Sequence, residues 1–524
     1  MRQFQSVLLI LWIGFATLTV PVEAQMYHPR SVMEALDTAG ENRTELEAVL
    51  NHYLNENDPL KLLAAYYLIE NMGDHSYVTI ALYDSTKAEV DYEVLAYPNF
   101  DSLLVELEAI ETERGELNFD RKAKILDREV ITAEYLIQNI DLAFQAWHEK
   151  PWARWLTFAQ FCDYVLPYRG SNEPLEAWRA YFLSEFANLP DQLDNPTDPV
   201  AAAQQINNGI KSWFGFDARF YLHPTDQGLS EMQQNKLGRC EDMTNLTIYA
   251  MRANGLAVTS DYTPHWADTG NNHAWNAILL PNGNVVPFMG CEANPGEYHL
   301  NHKAAKVYRK MFAEQPQNLA FLKPEWEAVP RWLAGKNYID VTADYTEVCD
   351  VTLTLTQPVP DSVTFAYLGV FNAGEWRAIH WGKIEPDRQV TFTDMGKNIA
   401  YIPLYYVHEE LIPAGVPFIL QEDNTIRPLI ADTTQTATVK LISTTRRVLD
   451  RSTDGIEQTF LTPDTEYELF YWQDEWVSLG TQIATEKPLY FEAVPHGGLY
   501  WLVEKDSREE ERIFTMENGK QIWW

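Results

Sequence analysis

Cysteine is scarce: Cys162, Cys240, Cys291 and Cys349 are the only four in 524 residues. One disulfide at most remains once a reactive thiol is set aside, so a disulfide scaffold is excluded. Basic residues are few, 40 Lys and Arg against 75 Asp and Glu, for a formal net charge of -35. Such a surface repels a phosphate backbone, which removes nucleic acid from the list of partners. The apolar run over residues 7–20 follows Arg2 and is broken at Pro21, ahead of a small-residue pattern ending at Ala24. It is short for a membrane span. Residues 1–24 read instead as a signal peptide, which predicts a secreted, periplasmic or cell-surface protein with no stable span after its removal. No cysteine follows closely enough for lipid attachment. Zinc spacing, an EF-hand loop and the Walker and dinucleotide fingerprints are all missing, so no metal and no cofactor is expected.

What is present is a long chain with a globular balance, 46% hydrophobic and 22% charged, which calls for several domains. Over 25–195 the pattern is mainly helical. Val32, Ala35, Leu36 and Ala39, then Leu46, Val49, Leu50 and Tyr53, recur at helical spacing, and Asp58-Pro59 starts a further helix. Helical period is also read over 119–146, with short strands around 77–96. The stretch 196–345 has a helix over 201–213, a polar loop, a helix beginning near Cys240, and strands at 256–262, 274–280 and 285–288. Asn282-Gly283 marks the turn between the last two. Helix followed by antiparallel strands is α+β.

Beyond residue 345 strands dominate and an internal repeat emerges. Phe365-Ala366-Tyr367, Trp376, Phe392 and Tyr401 correspond to Leu469-Phe470-Tyr471, Trp476, Phe491 and Tyr500. Two β-sandwich-like modules, 346–435 and 436–524, account for it. The chain is 13% aromatic. Such side chains fill β-rich cores or, where exposed, line a groove or stack on glycan.

The chemistry-bearing stretch is Gly238-Arg239-Cys240, followed by Met243, Leu246, Tyr249 and Ala250 at helical spacing. Cys240 therefore sits at the start of a buried helix. Unpaired backbone N–H groups and the helix dipole favour a thiolate there, and the Cys240 N–H is a candidate oxyanion donor. His273 opens the strand His273-Ala274-Trp275-Asn276 after a polar loop, a rigid yet reachable place for a base. Glu292 follows the next strand, where an antiparallel return brings it towards His273. Asn294, or a residue outside this stretch, is the other candidate for that third position. His265, Trp266 and Trp275 are the candidate substrate-contacting side chains.

These features resemble the transglutaminase-like, papain-related superfamily, in which a Gly-x-Cys helix start precedes a His-Ala-Trp strand and then an acidic residue. Arg252-Ala253-Asn254-Gly255-Leu256 resembles the segment that leads from the helix to the first strand. The resemblance covers roughly 200–300. The family usually has Asp soon after a Trp-containing strand, and this chain reads Phe288-Met289-Gly290-Cys291-Glu292 there. What the resemblance implies is a thioester on Cys240, His273 as the acid and base, and a peptide, protein or glutamine amide as substrate, cell-wall peptide among them. Exported bacterial-type proteins of this arrangement suggest hydrolysis over crosslinking. Calcium accompanies animal transglutaminases, and Asp191, Asp194 and Asp198 do not define a site by charge alone. The alternative is a non-catalytic cell-envelope protein whose β modules bind protein or glycan.

Overall fold

The computed structural model describes residues 28–446, 459–505, 507 and 511–524, so the signal-peptide reading of 1–24 falls outside it. The architecture is α+β. Helices Arg30–Thr38, Arg43–Glu56, Pro59–Asn71 and Ala133–Glu149 pack together at the N-terminal end. Asp58 starts the third of them, its carboxylate accepting from the Leu60 and Lys61 N–H groups at 3.1 Å. The apolar core continues from Val32 through to Val341, so the stretches read separately as 25–195 and 196–345 share one interior.

At its centre lies the helix Cys240–Ala253, buried at every position from Asp242 to Ala253. Helices Trp178–Glu185, Pro199–Lys211 and Ala133–Glu149 cover it on one side, and an antiparallel sheet on the other. That sheet runs in the spatial order Tyr338–Asp340, Tyr308–Lys310, Val258–Thr263, His273–Leu279, Val285–Phe288. The Asn-Gly turn forms as its sequence predicts, with the Gly283 N–H on the Leu280 carbonyl at 2.9 Å and φ of +83° at Gly283.

Two sequence expectations need correction. Helical structure over 119–146 is confined to the single turn Asp127–Val130 and the helix from Ala133. Residues Asn118–Leu126 form a strand beside Ser76–Tyr83, whose other neighbour is Glu89–Val90. Its charged side chains stand on an open face of a small sheet, so no buried stripe disciplines their spacing. The polar loop before Cys240 also contains a helix, Leu229–Asn235. The segment after the small sheet matters to the site. The turn Val94–Ala96 and the helix Phe100–Arg114 pack through Val94 and Leu103 against Phe220, bracing the turn Ala218–Leu222.

The C-terminal strands repeat in pairing as well as in sequence. In the first set Val348–Thr354 pairs with Gln389–Gly396, while Phe365–Asn372 lies between Glu375–Lys383 and Ile399–Val407. In the second, Asp432–Leu441 pairs with Leu489–His496, and Glu466–Gln473 lies between Glu475–Ile483 and Tyr500–Glu504. The matching tyrosines do the same work: Tyr401 donates to the carbonyl of Gly396 and Tyr500 to that of Pro495, five residues upstream in each case. Trp376, Trp472, Trp476 and Trp501 pack with Phe371 into an aromatic cluster joining the two sets. They are therefore structural.

Candidate active site

Cys240 occupies the first helical position, and its neighbours explain why. The Asp242 carboxylate turns back to accept the Arg239 N–H at 2.9 Å and the Gln227 N–H at 3.1 Å, closing the helix start. Gly238 is required by that closure, because a Cβ there would stand 2.7 Å from Asp242 Cβ and 2.8 Å from the Phe214 ring. At the far end Arg252 is buried and bonds the carbonyls of Tyr164, Val258 and Arg169, tying the helix to the chain on both sides.

His273 opens its strand opposite Thr263, and behind it runs a hydrogen-bonded chain. The Trp275 indole donates to the Tyr345 hydroxyl at 3.1 Å, which donates to Asp261 at 2.6 Å. Asp261 holds Arg309 through two bonds of 2.8 Å. The loop before His273 is pinned from the C-terminal sheets. The Asn372 amide nitrogen reaches the carbonyls of Trp266, Thr269 and Asn271, and the Arg512 guanidinium reaches those of Ala267 and Thr269.

Cys240 and His273 open onto one cavity of about 1000 Å³, which Glu292 also lines. Phe216, Tyr221 and Trp332 stand on it with nearly half of each side chain exposed. Deeper in, Glu241 pairs with Lys310 at 2.5 Å and Asp226 with Arg239. Desolvation and the nearby Glu241 charge raise Asp226 to about 6.

The thiol state differs from the sequence expectation. Burial pushes Cys240 above the ordinary thiol range, and the Glu292 and Glu241 charges act the same way. The Tyr221 hydroxyl 3.8 Å away and the Cys240 N–H pull downwards without prevailing. Burial, helped by the charge of His302, lowers His273 and keeps the imidazole neutral. The resting pair is a thiol and an uncharged base.

Of the candidate substrate contacts, Trp275 and Trp266 are corrected to supporting residues. Trp275 is 0% exposed, Trp266 6%, and both pack behind the His273 ring. His265 is partly buried and packs edge-on against Trp332. The cavity aromatics instead come from a two-residue strand (Phe216) and two short 3-10 turns (Tyr221, Trp332), too brief to leave a periodic signal. Tyr298 was equally hidden: its hydroxyl lies 2.8 Å from His273 Nε2. Asp198 caps the helix Pro199–Lys211, and among the described residues no group of three His, Cys, Asp or Glu side chains is placed to hold a metal ion.

A cysteine opening a buried helix, packed on a sheet that presents a histidine to the same cavity, defines the layout of the thiol acyl-transfer folds. Residues 187–288 match the model of the transglutaminase-like superfamily, so this part of the chain is similar to a transglutaminase-like domain. A crystal structure of red sea bream transglutaminase is similar at 9% identity over 84% of this chain and 76% of that one, with a TM-score of 0.18. A comparison with curated proteins gave no match.

Proposed function

We propose that the protein is a cysteine-dependent amide hydrolase or acyltransferase acting on protein or peptide substrates, with Cys240 as nucleophile and His273 as general base and acid. The observation that carries this is the shared cavity: a helix-start thiol and a neutral, strand-anchored imidazole face one space large enough for a peptide segment. His273 takes the Cys240 proton as sulfur bonds to the amide carbonyl carbon. The proton then passes to the departing amine as the C–N bond breaks, leaving a thioester. Water or a second amine attacks that thioester and returns the thiol. Phe216, Tyr221 and Trp332 supply flat apolar faces for the substrate backbone and side chains. Export belongs to the same proposal, and an N-terminus at Gln25 in the mature protein would support it.

The test is labelling of full-length protein by an electrophilic amide analogue, with the adduct located by mass spectrometry and turnover followed on peptide and glutamine-donor substrates. Labelling at Cys240 that is lost in Cys240→Ala, and reduced about 10²-fold or more in His273→Ala, is the expected result. Turnover that survives Cys240→Ala would remove the nucleophile and the proposal with it. The alternative of protein or glycan capture called for exposed Trp and Tyr faces in the β modules; Trp472 is buried between those modules, and Trp376, Trp476 and Trp501 pack partly buried beside it.

A further inference from the structure

Neither residue marked by the sequence for the third position holds the His273 ring. Glu292 is exposed on the cavity wall and, among the described residues, makes no hydrogen bond to His273. Asn294 spends its amide on the helix Pro199–Lys211, its Oδ1 accepting from Asn207 and its Nδ2 donating to Asn208, each at 3.0 Å. The residue directly after the strand Val285–Phe288 is Met289, apolar and buried. What meets His273 Nε2 is the Tyr298 hydroxyl, at 2.8 Å.

We propose that Tyr298 is the positioning residue of His273, a neutral phenol standing where a Cys-His-acid relay has a carboxylate. This inference rests on the Cys240 and His273 reading above. A hydroxyl that accepts from Nε2–H places the ring proton on that nitrogen and leaves the Nδ1 lone pair free to take a proton from the thiol. The π-faces of Trp266 and Trp275 hold the ring plane from behind. Desolvation, reinforced by the negative charge available to Glu292 and Cys240, raises the Tyr298 hydroxyl and keeps it protonated. A phenol orients an imidazole but brings no charge to balance an imidazolium. The groups facing His273 are thus Tyr298, the Cys240 thiol, Glu292 across the cavity and His302 on the far side, and only Glu292 brings a full negative charge. Cys240 is therefore activated by proton removal during attack and is not stored as a thiolate.

The test measures the rate of Cys240 alkylation by iodoacetamide from mildly acidic to alkaline pH, on the full chain, in wild type, Tyr298→Phe, Tyr298→Glu and His273→Ala. Tyr298→Phe is expected to slow alkylation about tenfold near neutral pH, the scale of a weakened general base. Tyr298→Glu is expected to restore the rate and move its onset to lower pH, because a carboxylate supports the imidazolium. Should His273→Ala slow the reaction while both Tyr298 variants keep the wild-type rate and profile, Tyr298 has no positioning role and the inference falls alone. An unchanged profile in His273→Ala removes the base itself, and both readings fall together. The carboxylate variant separates orientation from packing loss if Tyr298→Phe proves poorly folded.

Discussion

At the residue scale the site turns on how little room there is around the helix start. A single methyl at 238 would collide with the Asp242 side chain that seals the first turn and with the Phe214 ring. Gly238→Ala is expected to cost about 1–3 kcal/mol through overpacking. It should also displace Cys240, so a lowered thermal midpoint should come with slower thiol labelling. A normal labelling rate would mean that the turn yields without moving the sulfur. The helix start at Cys240 and the strand start at His273 were legible because each carries local grammar: a glycine and a run at helical spacing for Cys240, a polar loop and a strand start for His273. Tyr298 had none. It lies in a loop where neither period applies, and it meets His273 only because the sheet folds that loop back across 25 residues of chain. The thiol's protonation state was misjudged for a related reason, since the helix-start effect is local while the burial that outweighs it comes from the whole fold.

At the element scale the His273 strand is held by a buried ion pair two strands wide. Arg309 and Asp261 have side-chain exposures of 5% and 0%, and removing Asp261 leaves the buried guanidinium only the more exposed Asp344 at 3.4 Å. Asp261→Ala is expected to destabilise by about 3–5 kcal/mol, read as a shift in the denaturant midpoint. It also deprives Tyr345 of its acceptor, loosening the Trp275 support behind His273. A shift under about 1 kcal/mol, the surface-pair range, would show that the pair is solvated in solution. The strands Val258–Thr263, His273–Leu279 and Val285–Phe288 were readable from their apolar runs and the Asn-Gly turn. The other two, Tyr308–Lys310 and the edge strand Tyr338–Asp340, were not, because three residues show no alternation to detect. Long-range pairing alone defines them.

Across the whole molecule, buried histidines set the acid limit of the fold. His75 and His380 are lowered, each mainly by burial, and in the folded protein they stay neutral. Once pH falls below about 6.5, the ordinary histidine value, the unfolded chain binds protons that the folded one refuses, so stability drops. Asp226, raised to about 6, has the opposite sign, holding its proton more tightly when folded. Its contribution grows as pH falls from about 6 towards the usual carboxylate range. Asp163, Asp242 and His223 are raised too and share its sign, while His265 and His273 side with His75 and His380, on whose burial the expected balance rests. The thermal midpoint should therefore fall on moving from neutral to mildly acidic buffer, and by less in His380→Asn. A midpoint that rises on acidification would contradict this. The strand-rich region has a different bearing on the site. Arg512 grips the carbonyl of Ala267, 245 residues earlier in the chain. Ribosomes make proteins from the N-terminus, so the loop presenting His273 waits for this anchor long after Cys240 has been made. A growing chain thus carries Cys240 through synthesis before the loop that presents His273 has its last anchor, and on the function proposed above the thiol gains its finished partner only once the newborn protein has these strands.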